Sequence, residues 1–391
     1  MRYDVTILGA GPAASATALS LKRLRPSLQV LMVEAPRHEQ WRVGETLSPG
    51  CQTILQSLGC WDSFRAERFL ECFGTSSAWG NDLPQDNEFI FSLGGNGWHV
   101  DRMRFDRMLL DCAQEAGTQI WSGFRTTDSE FAGDDGWRLT LCGPAGKKEV
   151  ESRFVVDATG RSASFAVQHG AQRIAWDRLV GVFARFRFSS DTVPGDPRTL
   201  VEAQEEGWWY SALTPDGCMV VAWMSDADLI RARAFQVAAN WMDHLHRSKL
   251  TKARVVEGRP ELPPRLQAAQ SQSLTKTSGP GWLATGDAAS TLDPLSSQGI
   301  RKALYTGKLA SFVALDCLTG RPLAQSRYDA VLVRDYQHYQ ETKTWFYTLE
   351  KRWPQSPFWS RRHQPLRQPE TVYARRDKAA SFLARGNIGS S

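Results

Sequence analysis

The sequence has little with which to cross-link itself or hold a metal. Its seven cysteines (Cys51, Cys60, Cys72, Cys112, Cys142, Cys218 and Cys317) are scattered, odd in number and never spaced as C-x-x-C. That excludes a zinc site or a disulfide framework as the organising principle, and the thiols read as reduced and mostly buried. No apolar run approaches the roughly 18 residues that a membrane helix needs. The strand-like run Tyr3 to Leu8 begins without the basic region and long apolar stretch of a secretory leader, so the expected location is cytoplasmic. Internal repeats and low-complexity tracts are also missing. Formal charge is only +5, and it is unevenly placed. Residues 351–391 carry nine Lys/Arg against Glu370 and Asp377, which leaves the rest of the chain slightly acidic. No nucleic-acid-binding motif accompanies that basic tail, so nucleic acid is not an expected partner, whereas an acidic protein surface is compatible with it.

What is there is an ordinary globular composition, 42% hydrophobic and 23% charged, over 391 residues, enough for two domains. Residues 3–8 read as a buried strand, Ala13 to Leu24 as a helix and Val30 to Val33 as a second strand ending at Glu34. Met103 to Ala116 has helical spacing, and Phe154 to Val156 is a short strand running into Asp157-Ala158-Thr159-Gly160. Between about 176 and 270 the pattern changes to strands, including Leu179 to Phe188, Gly207 to Leu213 and Cys218 to Trp223, the last two separated by the turn Pro215-Asp216-Gly217. Aromatic residues crowd a helical segment from Ser326 to Trp353, after which Pro354, Pro357, Pro365 and Pro369 break regular structure. The expected architecture is α/β. A discontinuous Rossmann-like domain (1–75, 98–175 and 276–322) carries an inserted antiparallel β-sheet domain (76–97 and 176–275), followed by a C-terminal helix and basic tail (323–391).

The chemistry starts at Gly9-Ala10-Gly11-Pro12-Ala13-Ala14, a G-x-G-x-x-A turn between strand and helix. Gly9 permits the turn, Gly11 lets the backbone approach a pyrophosphate, and Ala14 keeps the helix close to the sheet. Pro12 and Ala13 open a helix whose N–H groups and dipole favour phosphate. Glu34 is placed for ribose hydroxyls. Together these are a dinucleotide site.

Which dinucleotide follows from resemblance. Gly281-Trp282-Leu283-Ala284-Thr285-Gly286-Asp287-Ala288-Ala289 resembles the second FAD fingerprint of flavin hydroxylases and halogenases, with Gly286 and Asp287 implied at the ribityl chain. Asp293-Pro294-Leu295-Ser296-Ser297-Gln298-Gly299-Ile300 then opens a helix aimed at the flavin. Arg42-Val43-Gly44-Glu45-Thr46-Leu47 is similar to the R-x-G-E-[ST]-L segment beside the flavin in halogenase-like flavoproteins. Asp101-Arg102 followed by Phe105-Asp106 resembles a helix entry whose arginine reaches the cofactor. The motif order resembles the p-hydroxybenzoate-hydroxylase-like superfamily over about residues 3–305, and within it the tryptophan-halogenase-like branch. The resemblance implies FAD held by Gly9, Gly11, Pro12, Ala13, Ala14, Glu34, Arg42, Gly44, Thr46, Arg102, Asp157, Gly160, Gly286, Asp287, Pro294, Ser297, Gln298, Gly299 and Ile300.

Three departures narrow the activity. Tryptophan halogenases place a catalytic lysine between the G-E segment and the substrate sheet, and this chain has no lysine between Lys22 and Lys147. Their G-W-x-W-x-I-P is here Gly207-Trp208-Trp209-Tyr210-Ser211-Ala212-Leu213. Asp157-Ala158-Thr159-Gly160-Arg161-Ser162 replaces the segment that serves FAD and NADPH in aromatic hydroxylases, so the electron donor stays open. The run from Gly207, the Gly286–Ile300 segments and the closing Arg352-Trp353 and Phe358-Trp359-Ser360-Arg361-Arg362 resemble the flavoproteins that mature cysteine tryptophylquinone oxidases. That resemblance implies O₂-dependent hydroxylation, by way of a C4a-hydroperoxyflavin, of a tryptophan in a protein partner, the precursor of an amine or amino-acid oxidase. Glu45 and His99 are the candidate proton handlers, and Trp208 and Tyr210, on alternating positions, are expected to present one sheet face to the substrate. A small-molecule hydroxylase or halogenase-like enzyme, and a flavin-containing maturation chaperone, are the alternatives.

Overall fold

The computed structural model describes residues 1–36, 42–89, 94–189, 191–321 and 323–364. Trp41, Pro365, Pro369 and the basic tail beyond Gln364 lie outside the described residues. The body of the protein is an eight-stranded sheet whose parallel strands run 282–284, 146–157, 2–8, 30–34 and 119–122 in spatial order. Register places Val5 opposite Phe154 and Val30, and Val155 opposite Trp282. The apolar runs are continuous because both faces are covered. Val5, Ile7, Met32 and Val156 join the core beneath the first helix, while Leu8, Leu31, Val33 and Val155 join a second core on the opposite side.

The helix Pro12–Leu24 packs against the helix Gly299–Leu318 at almost backbone contact. A Cβ at Gly307 would stand 2.3 Å from the Ala13 carbonyl oxygen, and one at Gly286 would stand 2.5 Å from the Ala13 Cβ. The Thr17 hydroxyl lies between the Ala13 and Gly307 carbonyl oxygens, at 2.8 and 2.9 Å, and shares its one proton across the pair. Small residues at these points therefore bring a segment nearly 300 positions away onto the first turn.

A second sheet of seven strands covers the first body like a roof, in the order 259–268, 179–187, 218–226, 207–213, 199–204, 74–78 and 85–88. It is antiparallel except where 199–204 meets 74–78. A small sheet of Thr46–Leu47, Gly97–His99 and Leu70–Cys72 completes the region. The C-terminal helix spans Ala324–Thr348, shorter than the expected Ser326 to Trp353. It stops at Thr348 because Glu350 turns to cap the Gly80 N–H and bind Arg352, so the chain folds back before Trp353.

Candidate functional site

Three distant stretches meet at the carboxyl ends of the central strands. The Gly9 N–H donates to the Val33 carbonyl, Ala158 N–H to Leu8, and Thr285 N–H to Asp157, each at 2.9 Å. Gly9 has φ +125°, and a Cβ there would lie 2.2 Å from the Ala158 carbonyl oxygen, so only glycine passes. Gly11, Gly160 and Gly299 differ: a Cβ added at any of them meets nothing within 4 Å. Open space thus borders the start of the first helix, the turn after Asp157 and the start of the helix from Gly299. Pro12 is the first helical residue, where its missing N–H costs nothing, and Ala13 and Ala14 are buried behind it.

At one end of this cradle Glu34 accepts from the Ser122 hydroxyl at 2.7 Å, and at the other Asp287 pairs with Lys302 at 3.0 Å while its side chain stays 42% exposed. Asp157 is different: its carboxylate accepts from Thr159 N–H (3.0 Å), Thr159 Oγ1 (2.6 Å) and Ala166 N–H (2.8 Å), so it anchors its own turn. In the loop before the helix from Gly299, Asp293 accepts from Leu295 N–H at 2.9 Å and caps Pro294–Ser296. Ser297 adopts a left-handed φ of +49°, Gln298 is held by Arg301 at 3.1 Å, and Ile300 is buried.

The Arg42–Leu47 segment is locked by a buried carboxylate that the sequence reading left without a role. Asp106 accepts from Arg42 at 3.2 Å and from Arg102 Nε at 3.3 Å, and Arg102 also donates to the Val43 carbonyl at 3.2 Å. Arg102 therefore fixes the strap, which passes Gly44 with its guanidinium nearly against the backbone. Glu45, beside it, is buried in a narrow cleft also lined by Arg42, Asp101, Arg102, Arg185, Thr214 and Asp216. Burial raises its carboxyl to about 7, against weaker pulls from nearby backbone N–H groups and the Arg102 charge. A larger hollow of about 560 Å³ beside Asp82, Arg233 and His244 is lined by Arg352 and Trp353 of the closing motif but by none of the residues implied for the cofactor, and it is not this site.

His99 is fully buried, and burial lowers its imidazole to about 4, so it is neutral at physiological pH. Its Nε2 lies 2.6 Å from the Pro197 carbonyl and its Nδ1 3.1 Å from Thr46 Oγ1. Thr46 Oγ1 also lies 3.0 Å from the Tyr210 hydroxyl and 3.3 Å from Thr199 Oγ1. Tyr210 is 3.5 Å from Glu45 Oε2. Glu45, Thr46, His99 and Tyr210, read separately in the sequence, thus share one buried cluster. Thr46 occupies its centre, and His99 stands at one end as a fixed hydrogen-bonding group that does not line the cleft.

Trp208 and Tyr210 do share the roof face turned toward the body, with Trp209 on the other. Trp208 is 0% exposed and donates to the Tyr347 hydroxyl at 3.1 Å, and Tyr347 donates to Asp293 at 2.8 Å. Trp208 is therefore a packed part of the roof. Tyr347 and Thr199 had no assigned role in the sequence because each acquires it from partners far along the chain, while Asp106, quoted there only as part of a motif, joins Arg102 four residues away to Arg42.

Comparison with known proteins decides the family. The tryptophan halogenase family model matches residues 4–97 and 83–389. The chain belongs to the tryptophan halogenase family. It is an FAD-dependent oxidoreductase. LodB of Marinomonas mediterranea, an FAD-dependent oxidoreductase by name, is 32% identical over 371 residues, covering 92% of this chain and 97% of LodB. The structure of a myxobacterial chondrochloren halogenase, CndH, superposes with a TM-score of 0.84 at 22% identity, over 99% of this chain and 91% of that one. The structure of QhpG, a peptidyl tryptophan dihydroxylase essential for tryptophylquinone cofactor biogenesis, superposes with a TM-score of 0.74 at 25% identity, over 95% of this chain and 81% of that one. The cradle suits FAD: Gly11, Gly160 and Gly299 each border open space, and Gly11 and Gly299 stand at two helix N-termini. Among the described residues no helix is long and apolar enough to cross a membrane, and no group of three His, Cys, Asp or Glu could hold a metal ion.

Proposed function

We propose that this protein hydroxylates a tryptophan side chain of a partner protein, in the maturation of a cysteine tryptophylquinone oxidase. The observation that carries the reading is Glu45: a buried carboxyl held at about 7 beside the roof, in a chain with no lysine between residues 22 and 147. Likeness to the peptidyl tryptophan dihydroxylase at 25% identity supports it, likeness to LodB over nearly all of both chains supports an FAD-dependent oxidoreductase, and likeness to the halogenase CndH keeps a small-molecule halogenase-like enzyme as the alternative.

FAD, when bound and reduced, supplies the electrons that activate O₂. The residues that would hold it are Gly9 to Ala14, Glu34, the strap Arg42–Thr46 fixed by Arg102, Gly160, Gly286–Asp287 and Pro294–Ile300. The chain must then seat an electron-rich indole against the roof, keep water out and deliver one proton to the departing oxygen. Glu45 meets the last need, since a carboxyl near 7 carries a proton at neutral pH yet releases it readily. Arg102, paired with Asp106, steadies the strap, and its pull on the Glu45 proton is weaker than the effect of burial.

Co-expression with a precursor oxidase, followed by mass spectrometry of the precursor, tests the proposal. Oxygen added to a tryptophan is the expected result. A bound but unmodified precursor would assign a chaperone role, and turnover of free tryptophan or a phenol, with or without halide, would overturn the protein-substrate reading.

A further inference from the structure

The hydrogen bonds around Thr46 have only one consistent direction. A carbonyl oxygen can only accept, so His99 Nε2, 2.6 Å from the Pro197 carbonyl, carries the proton. The neutral ring then presents a bare Nδ1, which must accept from the Thr46 hydroxyl at 3.1 Å. Thr46 has spent its single proton and can only accept from Tyr210 at 3.0 Å and from Thr199 at 3.3 Å. The Tyr210 phenol stays protonated because it is buried. Its one proton goes to the nearer partner, Thr46, rather than to Glu45 Oε2 at 3.5 Å.

Tyr210 therefore turns a lone pair toward Glu45. A carboxylate facing a lone pair is repelled, whereas a carboxylic acid can donate to it. The other oxygen, Glu45 Oε1, is buried with no hydrogen-bond partner among the described residues, which also favours the neutral acid. We infer that His99, Thr46 and Tyr210 are positioning residues, a one-way hydrogen-bond chain that holds Glu45 as a neutral proton donor. The inference rests on the reading above, in which Glu45 is the acid of the site.

The departure at position 210 acquires a reason here. An indole N–H can only donate, so a tryptophan at this position could not accept from Glu45 while donating to Thr46; a tyrosine does both. Other charges face the cluster. Arg102 opposes protonation of Glu45, and Arg42, Asp101, Arg185 and Asp216 line the same cleft. Cys72 and Arg254 lie against Tyr210, and Arg254 also faces His99.

The test is an infrared pH titration of the FAD-loaded protein, following the carboxyl C=O band that disappears in Glu45→Gln. In Thr46→Val the Tyr210 hydroxyl loses its acceptor, swings to Glu45 and stabilises the carboxylate, so the midpoint is expected to fall by about one pH unit. Thr46→Ser restores the wild-type midpoint, and Tyr210→Phe, which removes the acceptor of the Glu45 proton and the lone pair that repels the carboxylate, lowers it. Retained flavin colour shows that each variant is folded. A Thr46→Val midpoint that is unchanged or higher overturns the chain's direction, as does one in Tyr210→Phe that is unchanged or rises. The titration contains no substrate, so it stands even if no tryptophan is oxygenated in the co-expression test; that failure would remove the substrate assignment alone.

Discussion

Gly9 and Gly11 sit two positions apart and do different work. At Gly9 a methyl group would collide with a backbone carbonyl that cannot move, in a conformation that side chains avoid. Gly9→Ala is predicted to destabilise the fold by more than about 2 kcal/mol, seen as a lower urea midpoint even without flavin. Gly11 faces open space, so Gly11→Ala should leave the flavin-free protein within about 0.5 kcal/mol of wild type. Its methyl group would instead occupy the approach of a pyrophosphate, and FAD affinity should fall at least about tenfold, measured by flavin fluorescence. Glu45 makes a prediction in pH. Its folded pKa of about 7 lies above that of an exposed glutamate, so its contribution to stability is whole at acidic pH and is lost as pH rises through 7. Glu45→Gln should match wild type near pH 4 and exceed it by roughly 2–4 kcal/mol at pH 8, from urea midpoints at the two pH values. The glycine turn and the strap were legible in the sequence because each is a local pattern with a local reason. The direction of the hydrogen bonds at Thr46 was not, since it depends on Pro197, a carbonyl nearly a hundred residues from His99.

The C-terminal helix Ala324–Thr348 shows what an element adds. Its aromatic residues were legible as a helix packed on the body, but not which of them turn inward. Ala324, Tyr328, Tyr336, Gln340 and Tyr347 are the buried residues of this helix, and Tyr339, Lys343 and Tyr347, spaced by four, place their polar ends on the body. Tyr339 oxygen accepts from the Asp293 N–H at 2.6 Å, Lys343 pairs with Asp177 at 2.9 Å, and Tyr347 binds Asp293 at 2.8 Å. Trp345 and Phe346, equally aromatic, are 57% and 44% exposed. Hydrophobicity alone ranked them with the tyrosines; what separates them is that a hydroxyl can satisfy the buried Asp293, whose carboxyl burial raises above the ordinary range. Tyr347→Phe removes one partner from a buried acid and one from Trp208. It is predicted to cost about 1–3 kcal/mol and to weaken FAD binding through the loop from Asp293 to Gly299, whereas Trp345→Ala should change stability by less than about 0.5 kcal/mol. Thermal melts of both variants and flavin titration of the first check the contrast.

At the scale of the whole molecule, a parallel sheet supplies the nucleotide cradle and an antiparallel roof supplies the second wall, and the strap Arg42–Leu47 runs between them. The alternation of strand and helix, and the change of pattern after residue 176, made both layers legible. The joining of residues 74–78 and 85–88 to the far edge of the roof was only partly so, because that edge is set by a parallel pairing with Thr199–Glu202. This division bears on where electrons enter. Among the described residues the central sheet has one Gly-x-Gly-x-x-Ala turn, and the Asp157–Gly160 segment, which could have served a second nucleotide, spends its carboxylate on Thr159 and Ala166. A nicotinamide dinucleotide would therefore find no second phosphate cradle beside the first. Mixing the FAD-loaded protein anaerobically with NADH or NADPH is predicted to bleach the flavin at least about a hundredfold more slowly than the same mixture supplied with a separate flavin reductase, the difference of nearly 3 kcal/mol in barrier that an unbound donor implies. Rapid bleaching by NADPH alone would place a donor site on this chain and would direct attention to the turn at Gly160, where open space remains.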